Sequence, residues 1–270
     1  MIRKEKYEPA KFHEAVPFGM GLEWFIDLNC DMGEGIGNDA DIMPYISSAN
    51  IACGYHAGNE ETMKRTVELC LQYKAAIGAH PSFPDKENFG RTDMHLPFTE
   101  VYDLVTKQIY LLDKISKQNG TFLHHVKPHG ALYNQSARSE KLAATIALAI
   151  KDINEKLIVF GLSGSNSIIK AKEIGLKTAN EVFADRTYQE DGSLTPRSKE
   201  NALIEDADKS LQQVLQMIKE RTVTTLSGKI IPISADTVCI HGDGRHAIEL
   251  ARRIRETLEN EKIKIQPVNG

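Results

Sequence analysis

A chain of 270 residues is long enough for one large core or two small ones, and 41% apolar with 26% charged residues excludes wholesale disorder. The formal net charge is −4 with the signs mixed along the chain, so no basic surface for a nucleic-acid backbone is expected. No run approaches the roughly 18 apolar residues that cross a bilayer, which excludes a membrane-spanning role.

Residues 1–24 carry scattered charges (Arg3, Lys4, Glu5, Lys6, Glu8) and no apolar segment, so they read as an N-terminal extension rather than a secretory signal. From 25 to 270 short apolar runs alternate with helix-like stretches. Strands are predicted at 25–31, 48–53, 75–80, 122–129, 157–163, 178–185 and 237–243. Helices are predicted at 60–73, 99–118, 139–154, 165–174, 205–221 and 244–259. In the second of these, Val101, Leu104, Val105, Ile109, Leu112 and Ile115 fall at helical spacing, with Thr99 placed to cap it. Cys30, Cys53, Cys70 and Cys239 have no paired spacing, which fits reduced thiols in a cytoplasmic protein.

Seven strand–helix units in one continuous domain indicate an α/β class with a parallel sheet. Alternation within the strands favours a barrel over an open sheet. In the first strand Ile26, Leu28 and Cys30 share one face and Asp27, Asn29 and Asp31 the other. An open sheet with helices on both faces would be apolar on both. His125, Lys127 and His129 repeat the polar face, as do Cys239, His241 and Asp243. The expected fold is a distorted or incompletely closed seven-stranded (β/α) barrel, TIM-barrel-like, with a polar mouth at the strand C-termini.

Chemistry concentrates at those strand ends. Asn29, Asp31, Asn50, His56, His80, Arg91, Lys127, His129, Glu181, Arg186, His241 and Asp243 are the candidates. Burying so many ionisable groups away from a site would cost several kcal/mol each unless they were paired. Lys127 could face a developing oxyanion or simply neutralise carboxylates. Asp31 and Asp243 could be neighbours that divide acid and base roles between them. Asp31, His56, His80, His129 and His241 are suitable nitrogen and oxygen ligands for a divalent metal, although the local spacing that marks a zinc site is absent. Gly35-Ile36-Gly37-Asn38-Asp39-Ala40 mimics a dinucleotide fingerprint but is flanked by acids. Ser227-Gly228-Lys229 is followed by Ile230, so there is no P-loop.

Six blocks taken together resemble the LamB/YcsF family, which supplies the A subunits of prokaryotic 5-oxoprolinases. They are Asp27-Leu28-Asn29-Cys30-Asp31-Met32-Gly33-Glu34, the run 48–58 around Gly54-Tyr55-His56-Ala57-Gly58, Gly78-Ala79-His80-Pro81-Ser82, Val126-Lys127-Pro128-His129-Gly130 through Asn134, Glu181 to Arg186, and Cys239-Ile240-His241-Gly242-Asp243. The resemblance implies a seven-stranded barrel related to carbohydrate deacetylases. It also implies ATP-dependent hydrolysis of the 5-oxo-L-proline lactam to L-glutamate, performed with subunits B and C and with ATP as co-substrate.

On that reading Arg91, Arg186 and Lys127 would bind charge, with Asn29, Asn50, His56 and His80 completing the substrate contacts. Asp31, Glu181 or Asp243 would be the base toward water, and His129 or His241 the acid toward nitrogen. The alternative is a metal-dependent deacetylase of an N-acetylated sugar or related amide. A third possibility is a protein that only binds substrate or assembles the complex.

Overall fold

The computed structural model describes residues 24–242, 244 and 246–269. Residues 1–23 of the predicted extension therefore lie outside the described residues, as do Asp243 and Arg245. Trp24, assigned to the extension on sequence, instead opens the first strand, β1 (Trp24–Met32).

The alternating β/α order is present throughout. After β1 come α1 (Asp39–Ile42), β2 (Ser48–Ala52), α2 (Glu60–Tyr73), β3 (Ala76–His80), α3 (Phe98–Gln118), β4 (His125–Val126), α4 (Gly130–Arg138), α5 (Glu140–Ile153) and β5 (Ile158–Leu162). The second half comprises α6 (Asn166–Glu173), β6 (Thr178–Phe183), α7 (Ala207–Leu215), β7 (Thr222–Thr224), β8 (Ile230–Pro232), β9 (Thr237–Ile240), α8 (Ala247–Asn260) and β10 (Ile263–Ile265). Strands β1 to β6 pair in sequence, all parallel. β9 then joins β6 on one side and β1 on the other, aligning Asp27 with Thr237 and Cys30 with Ile240. The ring of seven is closed, which gives the expected seven-stranded (β/α) barrel in a closed rather than an incompletely closed form. β10 adds to the outer start of β1, and β7 with β8 form a separate hairpin.

Local chemistry sets the helices. α2 begins with a reciprocal capping box between Asn59 and Thr62 and ends at Lys74, which adopts a left-handed φ of 59°. Ser139 accepts from the Leu142 amide to start α5. α3 starts one residue earlier than predicted. Pro97 occupies its cap position with no side-chain bond, and Thr99 lies inside the first turn. The predicted strand 122–129 narrows to β4 because Pro128 cannot donate to a ladder, although Lys127 and His129 still donate to the Ala79 and Pro81 carbonyls. The helix expected over 205–221 ends in a π turn, Gln216–Glu220.

Ile26, Leu28 and Cys30 point to the helical shell and join the main apolar core. The opposite face fills the lumen in layers. At the bottom, Asp27 accepts hydroxyl hydrogens from Ser47 at 2.6 Å, Ser48 at 2.7 Å and Thr237 at 2.5 Å. Above it His125 stacks on Phe160 at 4.1 Å between ring centroids, and its Nε2 donates to Asn50 Oδ1 at 2.8 Å. The His125 ring occupies the space left by Gly78, where a Cβ would stand 2.0 Å from Nε2.

This packing makes two stability outcomes testable. Gly78→Ala must displace a ring locked on both sides, and a loss of about 2–3 kcal/mol is expected in denaturant unfolding. Burial outweighs the hydrogen bonds from Ser47, Thr237 and Ser48, and pushes the Asp27 carboxyl up from 3.8 to about 6. A carboxyl whose value rises on folding supports the fold below its unfolded value and withdraws that support as pH climbs through about 6. Relative to the parent, Asp27→Asn should therefore gain about 3 kcal/mol between roughly pH 4 and pH 8, read from urea unfolding at both ends.

Candidate active site

Lys127 follows β4 and turns into the lumen, where only 2% of it is exposed. Its Nζ lies 2.8 Å from Asp31 Oδ1, 2.8 Å from Glu181 Oε1, 3.3 Å from Asn29 Oδ1 and 3.1 Å from Cys239 Sγ. Burial alone would discharge this ammonium, but Asp31 and Glu181 reverse the effect and hold Lys127 protonated well above its usual range. Asn50 Nδ2 donates to Asn29 at 2.8 Å and to Asp31 Oδ1 at 2.9 Å. Burial would raise the Asp31 carboxyl, yet His80 and Lys127 hold it well below the ordinary carboxylate value. Asp31 is a fixed anion rather than a proton store.

Its other oxygen, Oδ2, faces His80 Nε2 at 3.3 Å and so connects the lumen floor to a cluster of three imidazoles. His80 Nδ1 donates to the Lys127 carbonyl at 2.7 Å, and His129 Nε2 to the Phe89 carbonyl at 2.9 Å. His56 stacks on His129 with centroids 3.8 Å apart, and its Nδ1 meets Ser82 Oγ at 2.9 Å. Ser82 is itself pinned by Gln108 of α3, whose amide accepts from the Ser82 N–H at 2.9 Å and donates to its carbonyl at 2.8 Å. Phe89 adopts a φ of 57°, a strained backbone for a non-glycine residue, and thereby aims its carbonyl at His129. Burial pushes the His56 imidazole down to about 2, with His80 adding to the effect, and likewise depresses His129 with help from His56 and His80. Glu34 Oε1 closes the cluster, 3.1 Å from His56 Nε2 and 3.6 Å from His129 Nδ1. Among the described residues, two groups have ligand atoms within 4.8 Å of one another and are able to hold a metal: Glu34 with His56, His80 and His129, and Asp31 with Cys239 and His241.

Across the mouth, His241 follows β9 and stacks on Phe183, while its Nδ1 lies 2.8 Å from Asp185 Oδ1. Burial opposes ionisation of Asp185, but His241 prevails and lowers its carboxyl. This pairing leaves His241 Nε2 turned away from Asp185, the geometry of an imidazole oriented for proton transfer.

Asp31, Glu34, His80, Lys127, His129 and His241 line a cavity of about 930 Å³. Arg138, Arg186, Arg197 and Lys199 also line it, together with the Ser163–Asn166 loop that leads into α6. Arg91 lines the cavity as well and lies 4.8 Å over the Phe89 ring.

The structure gathers the predicted residues at one pole but separates their positions. Asn29, Asn50, His56 and Glu181 are fully or nearly fully buried and lie outside the cavity lining. Asn29, Asn50 and His56, expected to contact substrate, and Glu181, expected as a base toward water, hold Lys127, Asp31 and the imidazoles in place. Arg186 lines the cavity, but its guanidinium donates to the Ala202 and Thr195 carbonyls and so ties down the 195–202 loop. His129 has its Nε2 hydrogen committed to the Phe89 carbonyl, so as the acid toward nitrogen it would have to act through Nδ1. Asp243 and its expected pairing with Asp31 lie outside the described residues. Glu34 and Asp185, which belong to the same strand ends, were given no role from the sequence. Both stand inside the family-like blocks, three residues after Asp31 and four after Glu181, and that was the available signal.

The profile of the LamB/YcsF family matches residues 26–270. A protein from Brevibacillus brevis, named as the A subunit of 5-oxoprolinase, is 52% identical over 245 residues, covering 89% of this chain and 96% of that protein. One of the same name from Tolumonas auensis is 48% identical, covering 89% and 98%. A solved structure described as a lactam utilization protein from Thermus thermophilus superposes with a TM-score of 0.85 at 40% identity, covering 90% of this chain and 99% of that one. A family 4 carbohydrate esterase from Streptomyces lividans, in complex with acetate, shares the fold alone, with a TM-score of 0.52 at 10% identity over 91% of this chain and 93% of that one. With the profile spanning nearly all of the barrel and relatives near half identity, the chain belongs to the LamB/YcsF family.

Proposed function

We propose that this chain is the A subunit of 5-oxoprolinase, a cyclic-amide hydrolase that opens 5-oxo-L-proline to L-glutamate at the expense of ATP together with subunits B and C. The names of its relatives support the substrate and the assembly. The observation that carries the chemistry is a single cavity lined by fixed anions, an oriented imidazole and guanidinium groups.

A lactam is a resonance-stabilised amide. Transfer of the γ-phosphoryl group of ATP to its oxygen, with release of ADP, makes the ring carbon an acceptor for water. Loss of the ring nitrogen then leaves an acyl phosphate, and a second water releases phosphate and glutamate. Arg138, Arg197 and Lys199 supply positive charge for the substrate carboxylate and the phosphoryl group. In the absence of a P-loop, the Ser163–Asn166 backbone and these side chains are the phosphate-facing part of the wall. His241, held by Asp185 through Nδ1, takes a proton from water at Nε2 and returns it to the departing ring nitrogen. Lys127 has its contacts filled by Asp31, Asn29, Glu181 and Cys239, so it acts by fixing Asp31.

The test is 5-oxoproline-dependent release of ADP and glutamate by the chain reconstituted with subunits B and C. Replacing the oriented imidazole (His241→Asn) or the fixed anion (Asp31→Asn) should lower kcat by about a hundredfold, with assembly retained on gel filtration. Asp185→Asn should give a loss of similar size with little change in KM, since it leaves the ring in place but disturbs its tautomer. Parental rates in all three variants, or turnover of an N-acetylated amide without ATP, would replace this reading.

A further inference from the structure

We infer that Glu34, His56, His80 and His129 form a binding site for one divalent transition-metal cation. The inference rests on proton bookkeeping in the cluster and holds whether or not the substrate is a lactam.

A backbone carbonyl only accepts hydrogen bonds. The Lys127 carbonyl, 2.7 Å from His80 Nδ1, therefore fixes the hydrogen of neutral His80 on Nδ1. The Phe89 carbonyl, 2.9 Å from His129 Nε2, likewise fixes the hydrogen of neutral His129 on Nε2. Ser82 gives its hydroxyl hydrogen to the Phe83 carbonyl at 3.0 Å, so its oxygen accepts from His56 Nδ1.

Unless His80 carries a second proton, each ring thus turns its protonated nitrogen outward and its lone pair inward. The inward atoms are His80 Nε2, His129 Nδ1 and His56 Nε2. The first two stand 2.8 Å apart, and the third stands 3.1 Å from Glu34 Oε1. Lone pair against lone pair at such distances is repulsive unless something positive lies between them. Donors about 2.1 Å from a common ion are roughly 3.0–3.4 Å apart, and the four ligand atoms here lie 4.8 Å or less from one another.

The surroundings match what a metal ligand requires. Metal-bound histidines donate their other ring nitrogen to a carbonyl or a comparable acceptor, and all three rings do so. The strained φ of 57° at Phe89 and the Gln108 clamp on Ser82 both serve ring orientation rather than the core. Asp31 Oδ2, 3.3 Å from His80 Nε2, adds a second anion at the edge of the set. Imidazole nitrogens with a carboxylate select zinc, cobalt, manganese or iron over calcium or magnesium. The group faces the 930 Å³ cavity through Glu34, His80 and His129, so a bound cation would be open to a ligand there.

The experiment uses the full chain, stripped with a chelator and dialysed against Zn²⁺, Co²⁺ or Mn²⁺ alone. Metal content per chain is then measured, with visible absorption recorded for cobalt. The expected result is about one equivalent bound and cobalt bands characteristic of nitrogen ligation. His56→Asn, His129→Asn and Glu34→Gln should each weaken binding by tenfold or more, in line with the loss of a ligand. The control His95→Asn, at an exposed position, should bind as the parent does. Circular dichroism verifies that each variant is folded. If a histidine variant does not fold, Glu34→Gln and the parental stoichiometry decide. Absence of stoichiometric binding by the parent for all three metals would overturn the inference, as would unaltered binding in the folded variants; the lone pairs would then be bridged by protons alone.

Discussion

A single ammonium group organises the floor of this barrel. Lys127 reaches partners on β1, β6 and β9, and of these β1 and β9 are the strands farthest around the ring from its own position after β4. Removing an ammonium and two carboxylates from water costs several kcal/mol per ion, which only close and complete pairing offsets. The pairing in turn demands strict register. A slip of one residue in β1 would turn Asp31 toward the helices and bring Cys30 into the lumen. The same electrostatics keeps Cys239 neutral, since burial pushes its thiol well above the normal value despite the adjacent Lys127.

Asp31 passes this constraint upward. One oxygen belongs to Lys127 and Asn50, the other to His80, so the charged floor and the imidazole cluster share a carboxylate. Loops finish the work: Gln108 in α3 fixes Ser82, Ser82 fixes His56, and the unusual backbone at Phe89 fixes His129. The 195–202 loop beside the cavity is anchored from within by Arg186. The cavity therefore combines fixed anions, an oriented imidazole and cationic side chains, a lining suited to a small anion with one reactive amide.

Much of this could be read before any coordinates. Period-two alternation in Asp27-Leu28-Asn29-Cys30-Asp31 determined which face meets the helices, because a closed lumen tolerates polar residues that an open sheet does not. What escaped notice was conformational rather than compositional. α4 was missed because it follows His129 directly, with no connecting loop to punctuate it. The β7–β8 hairpin is built on short runs, Thr222–Thr224 and Ile230–Pro232, too brief to register as alternation. Glu34 and Asp185 sit past the strand ends, where the path of a loop decides which side chain turns inward. The positions of Asn50 and Glu181 were legible, but their depth was not, since depth depends on the stagger of neighbouring strands.

The dependence of His129 on the main chain at Phe89 has an evolutionary corollary. A carbonyl survives every side-chain replacement, so drift at position 89 can recolour the rim without loosening the imidazole behind it. Sensitivity moves instead to loop length: an insertion or deletion between Asp85 and Gly90, whose ends are joined by a 2.7 Å backbone bond, would rotate that carbonyl away. Relatives that diverge in substrate should then vary the chemistry of this loop while keeping its number of residues.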